Sequence, residues 1–204
     1  KHNRTILRVD YGTTKLISKL NLFLEYALSE EIRVHGGLLE VFGMGILILG
    51  KSSIGKSETA LELIARGHRL VADDAVDIRK IDNKLYGESP ENIRHFLEIR
   101  GLGILDIERL YGSGAIKRST EIDFVIELEN WIDNKEYDRL GLDDKYKSIL
   151  GLELPYIVIP VKPGRNIALI VEVAARNMRQ KMYGYNAAEE LNKRIMEEIK
   201  NKSN

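Results

Sequence analysis

The chain contains 204 residues, with 31 Lys and Arg side chains balanced by 31 Asp and Glu side chains, so its formal charge is zero. This balance argues against a general nucleic-acid or anionic-membrane binder, because such proteins carry a basic excess on one face. The 44% hydrophobic content is typical of a globular domain, and the absence of Cys excludes disulfides, thiolate catalysis and Cys-bound zinc.

Hydrophobic periodicity predicts alternating helices and strands along the first half of the chain. Apolar residues at intervals of three and four predict an amphipathic helix between Thr13 and Glu31. Gly37 to Gly50 contains two apolar runs separated by glycine, which predicts two strands joined by a tight turn. Ser57 to Arg66 then follows a helical pattern with Gly67 at the position of a C-terminal cap, and Leu70 to Ala72 predicts a short buried strand.

The second half of the chain is less regular, but several of its segments still indicate a structure. They are a hairpin turning at Asp82-Asn83, a short helix from Pro90 to Leu97, a glycine-interrupted loop from Glu98 to Asp106, strands at Ile122 to Leu128, Ile157 to Ile159 and Ile167 to Val173, and a charged helix from Ala187 to Lys200. The alternation of the two element types along the whole chain predicts an α/β protein.

A phosphate-binding motif, GKSSIGKS, lies between the second predicted strand and the helix that follows it, and it matches G-x-x-x-x-G-K-[ST]. In such a loop the backbone N–H groups turn onto phosphate oxygens, the lysine reaches the β and γ oxygens, and the hydroxyl can bind Mg²⁺. The positive end of the next helix points at the same anion. The predicted polyphosphate site consists of Gly50, Lys51, Ser52, Ser53, Ile54, Gly55, Lys56 and Ser57.

Two acidic residues, Asp73 and Asp74, follow the next predicted strand. P-loop folds keep a carboxylate directed at Mg²⁺ in such a position. Adjacent residues that leave a strand point to opposite sides, so we expect only one of them to bind Mg²⁺ directly and the other to face an acceptor. The pair therefore indicates phosphoryl transfer, with an Asp-Asp turn of no function as the alternative.

Several other polar residues on predicted loops have both a structural and a functional explanation. They are His35 before a glycine pair, Glu98 and Arg100 on either side of Ile99, Arg139 next to an aspartate, and Lys162 and Arg165 in a proline-containing loop. Spacing alone assigns a function to none of them.

Together with the phosphate-binding motif, these segments form a recognisable set. The strings are VHG from Val34, GKSSIGKSETALELIARGH from Gly50, ADD from Ala72, LEIRGLGILD from Leu97, LENW from Leu128, YDRLG from Tyr137 and PVKPGRN from Pro160. In order and spacing, the chain resembles the bacterial HPr kinase/phosphorylase family from about Thr14 to the C-terminal helix. LEIRGLGILD is far more specific than the phosphate-binding motif.

The resemblance implies an α/β fold, in which a P-loop nucleotide-binding core contains a mixed central β-sheet flanked by helices. It implies an N-terminal segment and linker helix over residues 1–33 and a catalytic domain over residues 34–204. The family's separate N-terminal domain is not found in this sequence. Because the first residue is Lys1 rather than Met, we expect the chain to begin inside a longer protein.

The resemblance also implies a bifunctional, Mg²⁺-dependent serine kinase/phosphorylase that takes part in carbon catabolite repression. In one direction ATP or pyrophosphate phosphorylates a regulatory serine of the phosphocarrier protein HPr. In the other, inorganic phosphate attacks the phosphoserine form of HPr and releases pyrophosphate. The implied assembly is a homo-hexamer.

We expect neither a nucleic-acid partner nor a membrane partner. The longest apolar stretch, Met44 to Leu49, is far short of the roughly 20 residues that a spanning helix needs. The polar start of the chain shows no signal-peptide pattern. A cytoplasmic location is therefore expected.

The family motifs imply a role for each candidate residue. Lys56 and its loop hold the phosphoryl donor, and Ser57 and Glu98 bind Mg²⁺. Asp74 takes the serine proton and returns one in the reverse reaction. His35 and Arg139 match the family's other active-site positions, so the implied catalytic set is His35, Lys56, Asp74 and Arg139. LEIRGLGILD serves both reactions, and the PVKPGR loop serves mainly dephosphorylation.

Two residues depart from the family's usual loop, G-D-S-G-[hydrophobic]-G-K-S. Lys51 replaces the aspartate and adds a positive charge near the phosphates. Ser53 replaces a glycine, at a position where a positive φ is costly for any other residue. We expect the fold to tolerate both changes, while donor preference and affinity depend on them.

Two further functions stay open at this stage. A nucleotide-binding module without catalysis would report ATP levels to a partner, but it would need only the loop and not Asp74, Glu98 and Arg139. A small-molecule P-loop kinase would phosphorylate a metabolite without HPr, and it would form no pyrophosphate from phosphorylated HPr.

Overall fold

The computed structural model describes residues 8–133, 135, 137 and 145–202. Its helices are α1 (Thr13–Leu28), α2 (Lys56–Ala65), α3 (Ile107–Tyr111), α4 (Ile167–Met182) and α5 (Ala187–Lys202). Its strands are β1 (Glu31–His35), β2 (Gly37–Val41), β3 (Met44–Gly50), β4 (Arg69–Ala72), β5 (Ala75–Ile81), β6 (Lys84–Glu88), β7 (Phe96–Ile99), β8 (Gly103–Asp106), β9 (Ser119–Glu121), β10 (Phe124–Asn130), β11 (Lys145–Ile149) and β12 (Leu152–Val161).

A six-stranded mixed sheet, in the order β11-β12-β10-β3-β2-β4, lies at the centre of the fold. Strands β3, β10 and β12 are parallel to one another, whereas β2, β4 and β11 are each antiparallel to a neighbour. Every residue of β3 from Met44 to Leu49 is buried, which explains why this strand is apolar without alternation. The predicted mixed central sheet is therefore confirmed.

The two faces of the central sheet are covered differently. Ile46 and Ile48 of β3 belong to a core shared with α2 and α4. Leu47 and Leu49 belong to a second core, shared with the antiparallel sheet β1-β5-β6-β9. Helices thus flank one face of the central sheet as predicted, and a small sheet covers the other face, which the sequence did not predict.

The described part of the chain crosses three times between the small sheet and the central sheet. β1 leads through Gly36 into β2, β4 leads through Asp73 and Asp74 into β5, and β9 leads into β10. The backbone N–H of Gly36 donates a 3.1 Å hydrogen bond to the Asp74 carbonyl, which joins the first two crossings. A Cβ on Gly36 would lie 2.7 Å from the Ile48 carbonyl oxygen, so only glycine fits there.

The strand predicted at Ile167 to Val173 is wrong, because this segment forms the first half of α4. The Asn166 side chain caps this helix by accepting a 2.8 Å hydrogen bond from the Leu169 N–H. The buried residues recur every three to four positions at Ala168, Val171, Ala175 and Met178. Packing of this helical stripe against the central sheet outweighs the strand preference of the β-branched residues.

Two shorter predictions also need correction. The helix expected from Pro90 to Leu97 is only a 3₁₀ turn over Glu91–Ile93, and β7 begins soon after it. The loop expected from Glu98 to Asp106 is instead largely a hairpin of β7 and β8. Gly101 and Gly103 adopt φ angles of +82° and +97°, so these glycines build the turn rather than prevent pairing.

Helix α1 forms where it was predicted, although none of its residues is buried. The Tyr26 hydroxyl donates a 2.8 Å hydrogen bond to Glu88, which connects the helix to the small sheet. The domain boundary after residue 33 stays a prediction. None of the helices in the described part of the chain is long and apolar enough to cross a lipid bilayer.

Candidate active site

The phosphate-binding loop runs from the end of β3 to the start of α2, and its backbone requires glycine at both ends. At Gly50 the φ angle is +144°, and a Cβ would lie 2.7 Å from the Leu128 carbonyl oxygen of the neighbouring strand β10. Gly55 precedes α2 with a φ angle of +100°. Ser53 also has a positive φ, +69°, so the serine adopts a conformation that glycine would adopt more easily.

Lys56, the first residue of α2, is buried beneath this loop. Its ammonium group donates hydrogen bonds to the carbonyl oxygens of Gly50, at 2.9 Å, and Lys51, at 3.2 Å. The same nitrogen lies 3.4 Å from Nε2 of His35. These contacts keep a positive charge inside the loop, next to the N-terminal end of α2.

Asp73 is buried, and one of its carboxylate oxygens accepts a 2.9 Å hydrogen bond from the Ser57 hydroxyl. Its other oxygen, Oδ1, is also buried and has no hydrogen-bond partner among the described residues. Burial raises the pKa of Asp73 above its usual value of 3.8, although the bond from Ser57 opposes this. A buried acceptor without a donor is the arrangement that a cation would complete.

Asp74 differs from its neighbour, because its side chain is 74% exposed and its φ angle is +65°. Its Oδ1 lies 3.2 Å from Nδ1 of His35. Aspartate tolerates the left-handed conformation better than most residues, yet such backbone strain is concentrated at functional sites. The turn thus presents one carboxylate to the protein interior and the next to the open cleft.

His35 lies between Asp74 and Lys56 and contacts both. Because the ammonium of Lys56 can only donate, Nε2 of His35 is assigned as the acceptor, which places a proton on Nδ1, the nitrogen that lies next to Asp74. The imidazole therefore connects the exposed carboxylate to the lysine of the phosphate-binding loop.

Glu98 belongs to β7, and Arg100 lies in the turn that follows this strand. Both residues line the same cleft as the phosphate-binding loop. The other predicted site residues that line this cleft are His35, Ser52, Ser53, Gly55, Lys56, Ser57 and Asp74. The arrangement places a phosphate-binding loop, cations and four carboxylates around one opening, which suits phosphoryl transfer.

The sequence matches the family described as HPr Serine kinase C-terminal domain over residues 26–195. The chain belongs to this family. It is 58% identical over 202 residues to the HPr kinase/phosphorylase of Caldanaerobacter subterraneus subsp. tengcongensis, and 50% identical over 204 residues to that of Clostridium perfringens strain SM101. These matches cover 98% and 100% of the chain, but only 66% of each relative, so the chain spans just under two thirds of their length.

A solved structure is also similar to this chain. It is described as the HPr(Ser) kinase/phosphatase from Coxiella burnetii, and the two are 36% identical with a TM-score of 0.69. The match covers 75% of this chain and 99% of the Coxiella chain. The similarity supports the α/β fold of an HPr serine kinase C-terminal domain.

Some residues of the predicted site of this HPr serine kinase domain lie elsewhere. Gly50 and Lys51 do not line the cleft, although their carbonyl groups bind Lys56. Ile54 is buried in the core below α2 and α4. Arg139 lies outside the described residues, so its predicted role stays a prediction.

Three residues that line the cleft were missing from the predicted site set: Glu58, Asp73 and Arg100. Asp73 and Arg100 were recognised in their motifs but not assigned. Their positions in the sequence could have identified them, because Asp73 directly follows a predicted strand and Arg100 lies within LEIRGLGILD. Glu58 gave no signal, since an acidic residue in the first turn of a helix is common without any ligand.

The described residues contain no group of three or more His, Asp or Glu side chains that could hold a metal ion by themselves. This is compatible with Mg²⁺, which is usually bound by one or two carboxylates together with waters and substrate phosphates. Ser57, Asp73 and Glu98 lie on the same cleft and supply oxygen atoms. These donors fit a hard cation that a polyphosphate brings with it.

Proposed function

We propose that this chain is the catalytic part of a bifunctional HPr kinase/phosphorylase. It transfers a phosphoryl group from ATP or pyrophosphate to a serine of HPr, and it removes that group by phosphorolysis to pyrophosphate. The family membership and the names of the relatives support this function. The structural observation that carries it is the contact of His35 with both Asp74 and Lys56, which brings an exposed carboxylate to the phosphate-binding loop.

The donor binds to the loop from Gly50 to Ser57 in this proposal. Backbone N–H groups of the loop and of the first turn of α2 face its phosphate oxygens, and Lys56 offsets their negative charge. Lys56 is already oriented by two carbonyl oxygens, so little side-chain freedom is lost when a polyphosphate binds. Lys51 adds a second positive charge to the loop.

Mg²⁺ is held by Ser57 and Glu98 in this proposal, with Asp73 accepting the hydrogen bond of Ser57. The unpartnered Oδ1 of Asp73 supports a cation at this place. When bound, Mg²⁺ offsets the charge that develops on the phosphate oxygens during transfer. Asp73 keeps the hydroxyl of Ser57 pointing toward the cleft.

Asp74 is the proton acceptor for the serine hydroxyl. As the serine oxygen bonds to phosphorus, the bond between phosphorus and the leaving oxygen of the donor breaks, and the serine proton moves to the Asp74 carboxylate. In phosphorolysis inorganic phosphate attacks the phosphoserine, the serine oxygen leaves and Asp74 returns the proton to it. The 3.2 Å contact with Nδ1 of His35 orients the carboxylate for both directions.

The remaining features of the proposal rest on the family resemblance. Arg139 contributes a further positive charge to the site, LEIRGLGILD serves both reactions, and the PVKPGR loop serves mainly dephosphorylation. Residues 1–33 are an N-terminal segment with a linker helix, and residues 34–204 form the catalytic domain. The protein works as a cytoplasmic homo-hexamer in carbon catabolite repression.

The test is incubation of the protein with HPr, Mg²⁺ and labelled ATP, followed in a second reaction by phosphorylated HPr with inorganic phosphate. We expect phosphoserine in the first reaction and pyrophosphate in the second. Asp74→Ala should lower both rates by about 100-fold or more, while ATP binding is retained. Asp82→Ala, in the exposed turn between β5 and β6, is the matched control and should behave as the parent.

Each competing function has its own result in this experiment. ATP binding without any phosphoserine would indicate a nucleotide-sensing module. Transfer to a metabolite without HPr, together with no pyrophosphate, would indicate a small-molecule kinase. If Asp74→Ala transfers phosphate as fast as the parent, the assignment of the proton acceptor is wrong.

A further inference from the structure

The proposed reaction fixes the side of the phosphate-binding loop on which the leaving group lies. In phosphoryl transfer the attacking and leaving oxygens are roughly in line on opposite sides of phosphorus. Asp74, which receives the acceptor's proton, follows β4, and β4 and β2 lie on one side of β3 in the central sheet. The leaving part of the donor therefore extends toward the other side of β3, where β10 and β12 lie. This direction rests on the proposed function.

The cleft itself offers no apolar surface to the base of a nucleotide. Within the described part of the chain, the residues that line it are polar or charged apart from Gly55. The imidazole of His35 is the one ring among them, and it contacts Asp74 and Lys56. This lining suits phosphate oxygens, whereas a base binds best by stacking on an aromatic side chain. A base attached to the donor must therefore find its contact beyond the cleft.

Trp131 lies at the same edge of the central sheet as the phosphate-binding loop. This edge is formed by the carboxyl ends of the parallel strands β3, β10 and β12, and ligands of α/β proteins bind outside such an edge. Leu128 of β10 pairs with Gly50, and Trp131 follows three residues later, about 10 Å farther along the strand direction. The Trp131 N–H donates a 3.0 Å hydrogen bond to the Val161 carbonyl oxygen, which holds this residue beside the end of β12.

The indole of Trp131 is exposed but held in place. Trp131 is the single tryptophan of the chain, and it is 42% exposed. Its Nε1–H donates a 3.0 Å hydrogen bond to Asp133, and the ring of Tyr137 packs against it with centroids 5.1 Å apart and an interplanar angle of 30°. Because the ring is already oriented, little side-chain freedom is lost when a ligand stacks on it.

A cation also contacts this ring. The ammonium group of Lys162, in the loop that follows β12, lies 5.0 Å from the Trp131 ring centroid. A cation over an exposed ring is bound more weakly than a stacked base. Lys162 is itself exposed, so a base can replace its ammonium group on the ring while the long side chain turns toward the phosphates of the same ligand.

We propose that Trp131 stacks on the base of a nucleotide whose phosphates occupy the phosphate-binding loop. Pyrophosphate carries no base and uses the loop alone. Trp131 is therefore a specificity-determining residue that sets the affinity for ATP and not the affinity for pyrophosphate. Stacking reads no hydrogen-bond pattern, so this contact is tolerant of different bases.

The test compares donors in Trp131→Ala and in the parent, with Mg²⁺ and HPr present. We expect the KM for ATP to rise about tenfold or more in the variant, and the KM for pyrophosphate to stay within about twofold of the parent. Equilibrium dialysis without HPr makes the same comparison for binding alone. ATP should bind about tenfold more weakly to the variant, whereas tripolyphosphate, a phosphate chain without a nucleoside, should bind equally to both proteins.

Two further variants complete the experiment. Trp131→Phe keeps an aromatic face and should recover most of the ATP affinity. Tyr146→Ala removes an exposed ring from the edge strand β11, and it is the control that should match the parent with every ligand. Melting temperatures of all variants establish that they are folded.

Two results would overturn the proposal. Equal weakening of ATP and tripolyphosphate in Trp131→Ala would show that Trp131 supports the loop and does not contact a base. An unchanged affinity for ATP would show that Trp131 takes no part in binding. Failure of the proposed function looks different, because the parent would then form no phosphoserine with either donor, while the dialysis comparison needs no transfer.

Discussion

The Ser57 hydroxyl donates a 2.9 Å hydrogen bond to Asp73, whose second carboxylate oxygen is buried without a partner among the described residues. The protein thus buries a carboxylate of which one oxygen is left without a hydrogen-bond partner among the described residues. Burial of this kind lowers stability unless a ligand compensates for it. A buried group that lowers stability but suits a cation is expected at a functional site, where sequences depart from what folding alone favours.

The first prediction concerns Asp73→Asn, which keeps the shape of the side chain and removes its charge. We expect both phosphoryl-transfer activities to fall by about 10- to 100-fold, as is common for groups that orient a metal ligand. Burial raises the pKa of Asp73 in the folded state above its usual 3.8. The stabilisation that the protonated carboxyl gives is therefore present below pH 3.8 and is lost as the pH rises through the pKa of the folded state. The variant should therefore become more stable than the parent as the pH increases, measured by urea unfolding at pH 4 and pH 7.

Asp123→Asn is the matched control for this experiment. Burial also raises the pKa of Asp123, but its carboxylate accepts a hydrogen bond from the Gly45 N–H and does not line the cleft. We expect a similar direction of the pH effect on stability, with activity close to that of the parent. If Asp73→Asn is fully active, Asp73 does not take part in the site.

The second prediction concerns the serine at φ +69° in the phosphate-binding loop. Ser53→Gly relieves a left-handed strain of about 1–2 kcal/mol but adds about 0.4–1 kcal/mol of unfolded-chain entropy. We expect the free energy of unfolding to rise by about 0.5 kcal/mol. The neighbouring Ser52→Gly adds the same entropy without relief of strain, so this variant should be less stable than the parent.

Chemical denaturation of the two glycine variants under identical conditions measures their free energies of unfolding and tests this prediction. The comparison is internal to one loop, so differences in solvent exposure are small. Equal destabilisation by both substitutions would show that the positive φ of Ser53 carries no strain. The same pair of variants, titrated with ATP and with pyrophosphate, measures how far this serine sets donor affinity.

The third prediction concerns the buried Glu40, which pairs with Arg69 and Lys117. Burial raises its pKa, but the hydrogen bonds from the two cations outweigh this and hold the pKa below the usual 4.5. Its stabilisation is therefore present above pH 4.5 and is lost as the pH falls through the folded pKa. Glu40→Gln should reduce the free energy of unfolding by about 2 kcal/mol at pH 7. This difference between the variant and the parent should become smaller as the pH is lowered.

Thermal or urea unfolding of Glu40→Gln between pH 3 and pH 8 is the measurement. Glu198→Gln, which breaks an exposed pair with Lys202 one turn away on α5, is the control and should change stability by less than about 0.5 kcal/mol. A constant difference between Glu40→Gln and the parent at all pH values would contradict the assignment of the effect to charge.

Local patterns predicted most of the elements that hold the site. The strand, loop and helix around GKSSIGKS follow from an apolar run, two glycines with special backbone roles and a helical repeat, and the structure has all three. The strand at Ile167 to Val173 was wrong because β-branched residues resemble a strand over seven positions. The helical stripe becomes visible only when Ala175 and Met178 are included.

Contacts between distant segments could not be predicted from spacing. The proximity of His35 to Lys56 arises because β2 and β3 are neighbours in one sheet, and its proximity to Asp74 arises because β1 pairs with β5. Sequence alone also could not decide which of the two aspartates is buried. That choice depends on where the chain leaves the central sheet, which is a property of the assembled layers.

The first two crossings between the small sheet and the central sheet have a mechanical consequence. His35 and Asp74 both lie where the chain passes from one sheet to the other, whereas Lys56 belongs to a helix packed on the central sheet. In the proposed reaction, the residue that binds the donor and the residue that accepts the serine proton therefore belong to different layers. If these roles hold, loosening of the small sheet alone would separate Asp74 from the phosphate-binding loop while the loop still bound a polyphosphate, so the boundary between the two layers is a place where the reaction can be controlled.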